Sequence, residues 1–473
     1  MDTEVLVVGA GPTGLVMANE LKVAGVSAML VDKLPRRSEL SRAGGVQSRT
    51  LEAFDQRGLL EPLLASGDFP LSAGHFAGVP LALENTGPRQ WRYVPQVELE
   101  AFFEDHLATQ GMHIRRDHEL VDLAQDDDGV TAAFANGTTI RSRYLVAADG
   151  AHSKVRSLLG AEFPGRLGTV TCVAADVRLS GVERELSHTW SKDGTWVALF
   201  PLGTDGAGRP LTRLVLGGPG RSLPRDTPIT EDELREGLRT VFNDRVQLLE
   251  LRYSRRITNA ARQAAQYRHG RVFLAGDAAH VHLPLGAQGM NTGIQDAFNL
   301  GWKLAAAVHG WAPADLLDSY HAERHPVGAA VLRNVQAQSL FMDWQGTRDP
   351  DVLAAKDVFR ELARLPAVQR HLADLMSGMA VRYPMPGTDS FVGLPSPDLD
   401  LGTSRLHSLL RPGRAVLLDP ADQFAKLADL WSARVDRVTA GQSMLVRPDG
   451  YVCWAGSPDE LEPALTRWFG EPR

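Results

Sequence analysis

The chain has 473 residues, 44% apolar and 23% charged, with a formal net charge of −7. That length exceeds one hydrophobic core and predicts two or three domains. The acidic balance argues against a nucleic-acid partner, which asks for a basic face. The two cysteines, Cys172 and Cys453, have no metal or redox spacing. No disulfide framework is expected, and a reducing cytoplasm fits. The first residues lack the marks of a secretory signal, and no run approaches ~18 apolar residues, so no membrane span is expected.

Residues 5–8 read as a short buried strand, followed by Gly9-Ala10-Gly11-Pro12-Thr13-Gly14 and a helix to about residue 24. This is a dinucleotide fingerprint in its proper setting. One glycine makes the turn, one lets the pyrophosphate approach, and one lets helix pack on strand. A second strand, 28–31, ends in Asp32, placed to accept hydrogen bonds from a ribose diol. The fingerprint alone does not separate NAD from FAD. In the following loop Arg36 and Arg37 read as solvated, whereas Arg42, beside Gly44 and Gly45, is a candidate for phosphate or ring contact.

A helix is expected over 48–64, a β excursion over 70–94, and a helix from about 97 to 110 with Gln96 at its start. Asp126–Gly129 and Asn136-Gly137 predict hairpin turns. Residues 144–148 form a third apolar run into Asp149-Gly150, with Ser153 and Arg156 opening a helix. From 167 to 257 short β-rich runs and one helix, about 231–242, predict an antiparallel sheet inserted between two halves of a nucleotide domain.

Residues 271–304 are the most informative stretch. An apolar run ends at Gly276-Asp277, a loop follows through Pro284, Gly286 and Gly289, and a helix is expected to open near Asn291 or Thr292. Ile294, Ala297, Phe298, Gly301, Leu304 and Ala305 mark one helical face. A glycine-rich approach to a helix start lets backbone N–H groups face an anion. His280 and His282 flank this loop, with inert packing roles at least as fitting. His321, Glu323 and His325 read as caps and salt-bridge partners. Helices are expected over 328–382. A breaker at 383–387 opens a small α/β module to the end of the chain.

Gly9–Gly14 with Asp32, Asp149-Gly150 with Ser153 and Arg156, and Gly276-Asp277 through Asn291 occur in this order. Together they resemble the class A FAD-dependent aromatic hydroxylases, built like p-hydroxybenzoate hydroxylase. Ser41-Arg42, Pro95-Gln96, His280 to Pro284, Gly289-Met290-Asn291 and Tyr320 to His325 look most like actinobacterial aromatic-polyketide hydroxylases, and rifampicin monooxygenase is similar.

The resemblance implies an α/β fold. A Rossmann-like FAD domain would span 1–166 and 258–384, and a sheet domain for substrate would span 167–257 with the 72–94 excursion. A thioredoxin-like domain without CxxC would span 385–473.

The resemblance also implies contacts. Gly9, Gly11 and Gly14 would admit the FAD pyrophosphate and Asp32 would hold the adenosine ribose, with Thr13 and Lys33 also binding the cofactor. Arg42 and Gln96 would meet the ribityl and phosphate region, with Arg42 the one candidate catalytic residue. The backbone near Leu120 would meet the adenine. Asp149 would serve FAD and nicotinamide, and Asp277 the ribityl chain. Pro284 would border the ring face, and Gly289, Met290 and Asn291 the pyrimidine edge.

The implied reaction reduces FAD with transient NADPH or NADH. One oxygen of O2 then passes through a flavin C4a-hydroperoxide to a polycyclic aromatic polyketide. Alternatives are a finished antibiotic as substrate, Baeyer–Villiger oxygenation, or a flavin-binding pathway partner that does not oxygenate. No metal is implied, and a monomer or homodimer is expected.

Overall fold

Strand Thr3–Val8 lies between Ala28–Val31 and Thr139–Ala147 and runs parallel to both. Thr139–Ala147 is in turn parallel to Val272–Leu274. Arg268–His269 extends one edge, and the hairpin Leu120–Gln125 and Val130–Phe134 folds back on Thr139–Ala147. These coordinates are a computed structural model. It describes residues 1–473 apart from 40–42, 66–68, 72, 84–88, 183–187, 193, 205–206, 343–348 and 473.

The near-continuous apolar runs of the central strands suit a sheet covered on both faces. Leu6, Val7, Leu145, Val146 and Phe273 have no exposed surface. Each such side chain contributes about 1.5–3 kcal/mol by leaving water. Helices Pro12–Val23 and Gln288–Val308 pack on the sheet and on each other. The register matters most for function. Val8 pairs with Val31 and Ala147, and Ala147 with Leu274. Gly9, Asp32, Asp149 and Gly276 therefore leave neighbouring strands at one edge, the carboxyl end, where open α/β sheets bind ligands.

Some expectations need correction. The helix expected over 48–64 is two helices, Ser48–Asp55 and Leu60–Ala65, because Gly58 adopts φ +69° and turns the chain between them. The helix expected near 291 starts at Gln288, directly after Gly286 and Ala287 in left-handed conformation. It also has no solvated face. Asp296, Asn299 and Lys303 on its far side are as buried as the apolar stripe.

The antiparallel sheet has five strands, in the order His188–Lys192, Thr195–Thr204, Pro210–Gly217, Thr171–Ser180 and Gln247–Thr258. Its outer face carries helix Glu231–Phe242 on Val173, Ala175, Leu199, Leu214 and Leu216. The excursion grouped with this sheet makes its own hairpin, Ala73–Phe76 with Val79–Ala82. Phe76, Leu81, Leu83 and Trp91 pack on Ala363, Leu372 and Met376 of the helical layer.

The final module is a four-stranded sheet ordered Val435–Val438, Ala415–Leu418, Met444–Val446, Val452–Ala455, closed by helix Leu461–Phe469. Cys172 and Cys453 are both free and buried. Among the described residues no helix is long and apolar enough to cross a membrane.

Candidate active site

The three glycines of the fingerprint do three different jobs. Gly9 has φ +104°, and a β-carbon there would meet the Ala148 carbonyl at 2.3 Å. A β-carbon at Gly14 would lie 1.8 Å from the Gly9 carbonyl oxygen, so helix and strand can touch only through glycine. Around Gly11 nothing lies within 4 Å. Gly11 also caps the helix without a side-chain bond. This is the room and the N–H exposure that a pyrophosphate requires.

Asp32 accepts from the Ala10 N–H at 2.7 Å and the Leu34 N–H at 2.8 Å. It thereby fixes the turn as well as standing where a ribose would lie. Arg116 sits 3.8 Å from it, and Lys33 is exposed. Gln96 opens helix Gln96–Thr109 and donates to Glu100 at 2.7 Å, while its backbone N–H reaches Ala43. Leu120 is buried and pairs with Phe134. Arg42 falls in 40–42, outside the described residues. Arg36 is exposed and paired with Glu39.

One oxygen of Asp149 accepts from the Lys154 and Val155 N–H groups, and Ser153 caps the same helix. The other oxygen is buried with no hydrogen bond from a described residue. Burial raises this carboxyl above its ordinary range, against the bonds from Ser153 and the backbone. Arg156 bonds the Ala278 carbonyl at 2.9 Å and so ties this turn to the third motif.

Thr13 joins the first motif to the third. Its hydroxyl would lie 2.5 Å from a β-carbon on Gly276 and 2.4 Å from one on Gly293. Asp277, next to Gly276, is exposed and accepts no hydrogen bond from a described residue. The loop is held from behind by Asp296, which accepts from the Gly276 N–H at 3.0 Å, His280 Nε2 at 2.8 Å and Arg324 Nε at 2.7 Å. Burial pushes the Asp296 carboxyl up, but Arg324 and His280 outweigh it and hold it below its ordinary range.

Asn291 is fully buried. It accepts from the Gln47 N–H at 3.0 Å and donates to the carbonyls of Gly45 and Ala287. Its side chain is therefore committed, and only its backbone is left for a cofactor. Gln47 returns the tie by donating to the carbonyls of Gly286 and Ala287. Pro284 is exposed, and Gly289 and Met290 are half-buried at the helix start.

The inner face of the antiparallel sheet covers this loop. Cys172, Trp196, Ala198, Phe200, Val215 and Ile257 pack toward Leu283, Leu285, Val331 and Val335. Asp176 and Arg213 stand opposite each other on that face, with bonds of 2.6 and 3.0 Å. Tyr93, from the excursion, lies close enough for both to act on it electrostatically. Burial, the largest effect, pushes its hydroxyl well up, so Tyr93 stays protonated. Sequence reading did not identify Asp176, Arg213, Tyr93 or Asp296. A charge inside the apolar strand runs 171–180 and 210–217 was the available signal for the first two.

Elsewhere, Glu323 is a buried ion-pair residue, as expected, bonded to Lys303 and Arg447. His321 accepts from the Tyr267 N–H. Asp55, Asp398 and His407 meet at the seam with the final module, and Arg89 and Arg405 bond the two carboxylates.

The chain matches the family described as FAD binding domain over residues 2–335, and that described as aromatic-ring hydroxylase, C-terminal, over 389–472. It belongs to the FAD-dependent aromatic-ring hydroxylases. FAD is the cofactor of this flavin-dependent monooxygenase family, and the open Gly11 side, the unpartnered Asp149 oxygen and the free Asp277 carboxylate fit that group. The hydroxylase is 40% identical to a rifampicin monooxygenase of Streptomyces venezuelae, covering 99% of this chain and 98% of that one. It is 39% identical to the 12-dehydrotetracycline 5-monooxygenase/anhydrotetracycline 6-monooxygenase of Streptomyces rimosus over all of both chains. A solved anhydrotetracycline hydroxylase from Streptomyces rimosus superposes with a TM-score of 0.89 at 38% identity, again over the full length of both.

Proposed function

We propose that this hydroxylase adds one oxygen atom to a planar polycyclic aromatic substrate of the polyketide class, using NAD(P)H and O2. The observation that carries the reading is the inner face of the sheet. It is largely apolar, with the aromatic rings of Trp196 and Phe200, and it carries the Asp176–Arg213 pair beside Tyr93. Such a surface suits fused rings bearing a hydroxyl, because the rings bury apolar area while the pair fixes orientation.

When bound, FAD supplies the redox chemistry, taking electrons from NAD(P)H and delivering one oxygen atom of O2 to the ring. The chain's own residues bind, orient and exclude water. Gly9, Gly11 and Gly14 admit the pyrophosphate, and Asp277 holds the ribityl chain. The first N–H groups of helix Gln288–Val308, at Gly289 to Asn291, face the pyrimidine edge. A helix start there favours negative charge by about 0.3–1 kcal/mol. Leu283 and Leu285 keep the space between loop and sheet dry.

The test is coupling. NADPH oxidation with a polycyclic phenol should yield oxygenated product in near proportion, whereas a single-ring phenol should yield mostly peroxide. Equal or reversed coupling contradicts the reading. Oxygenation of a finished antibiotic is the second reading, supported by the identity to the rifampicin monooxygenase.

A further inference from the structure

His282 is the one ring in the loop that neither the fold nor the proposed contacts use. Its Nδ1 lies 2.8 Å from the Leu283 carbonyl, which can only accept, so Nδ1 carries the proton. In the neutral ring Nε2 is then a lone-pair acceptor. That atom is buried and has no partner among the described residues. Burial, the largest effect, also lowers the affinity of the ring for a second proton.

The direction of the ring is fixed by its neighbours. Leu283 and Leu285 pack on the sheet. The His282 Nε2 faces Gly289 instead, 3.4 Å from where a β-carbon there would stand. The Asp277 carboxylate is near enough to act on the same ring electrostatically. Three features thus converge: a buried acceptor, a free carboxylate, and a helix start kept open by glycine.

We propose that His282 Nε2 accepts a hydrogen bond from a ribityl hydroxyl of FAD, beside the one held by Asp277. This rests on the placement of FAD proposed above. A buried acceptor left unmatched opposes folding, and a polyol chain carries several hydroxyl donors side by side. The oxidised isoalloxazine ring offers a single N–H donor, at its pyrimidine edge. His282 is a positioning residue here, since it moves no proton in the reaction.

Full-length protein stripped of flavin is titrated with FAD and with FAD analogues lacking the 2′-, 3′- or 4′-hydroxyl. Quenching of flavin fluorescence is the readout. His282→Leu should weaken FAD binding about tenfold. With one of the three deoxy analogues the variant and the parent should bind equally. His282→Gln, which keeps an acceptor, should stay within about threefold of the parent and guards against a leucine variant that fails to fold. Unchanged binding in His282→Leu overturns the proposal, and so does an equal loss with every analogue. A parent that quenches no flavin at all sinks the FAD placement as well, so the two failures are distinguishable.

Discussion

Gly11 and Gly14 differ by three positions and have opposite physical reasons for being glycine. A methyl group at 14 would strike the Gly9 carbonyl at 1.8 Å, and one at 11 would meet nothing. Gly14→Ala should therefore cost about 3 kcal/mol or more in urea unfolding of the flavin-free protein. Gly11→Ala should leave that stability unchanged and weaken FAD binding about tenfold, ~1.4 kcal/mol. Asp277→Ala removes an exposed carboxylate that has no hydrogen-bond partner among the described residues, so stability should hold while flavin is lost on gel filtration. Retained flavin would count against Asp277 as a cofactor ligand. These residues were legible because a glycine fingerprint and a lone acid after a strand are local patterns. Asn291 was only half legible. Its position at a helix start is local, but its commitment to Gly45 and Gln47 arises from a contact distant in sequence.

At the scale of elements, the parallel strands and their glycine turns follow from apolar runs and punctuation, and most lie within a few residues of expectation. Helix Gln288–Val308 is the instructive exception. Its apolar stripe was visible, yet its polar stripe is buried too. Periodicity reports which face is apolar and cannot report that a second layer covers the other face. There Lys303 and Asn299 meet Glu323, whose other oxygen is taken by Arg447 at 2.7 Å. Burial acts to raise the Glu323 carboxyl, but Arg447 and Lys303 prevail and hold it at about 2, below the ordinary 4.5. Burial meanwhile drags Lys303 down to about 8 despite Glu323. The stabilisation thus runs through the two-bonded Arg447–Glu323 pair rather than through Lys303.

A depressed carboxyl contributes stability that is complete above its unfolded value and lost as pH falls toward its folded one. Glu323→Gln should cost about 3–5 kcal/mol at pH 7, because buried Lys303 loses its anion and buried Arg447 is left with Asp449 alone. The gap from the parent should close as pH falls from about 5 to about 2. Urea unfolding across that range checks both, and a gap independent of pH would contradict the assignment.

At the scale of the molecule, arginines stitch the C-terminal module to the FAD domain. Arg447 joins Glu323 to Asp449 and lies over the ring of Trp468 at 4.5 Å. Arg49 bonds the Asp449 carbonyl, and Arg57 joins Glu20 to the carbonyls of Leu410 and Pro448. The module and helix Gln288–Val308 therefore share one buried ionic layer. Calorimetry should show one transition for the parent. Arg447→Ala should lower it and split off the module as an earlier melt, whereas an unchanged single transition would contradict the coupling. The module's existence was legible from its breaker, but its docking was not, since ion pairing across a seam has no local signature.

The central claim is that loop and sheet together position FAD to oxygenate an aromatic ring. Isotopically heavy dioxygen tests it directly. The protein is reduced with NADPH under argon, then mixed with heavy dioxygen and a polycyclic phenol, and the product is weighed by mass spectrometry. One heavy oxygen atom per product molecule is the expected result. Label recovered only as peroxide, or product oxygen derived from water, would contradict it.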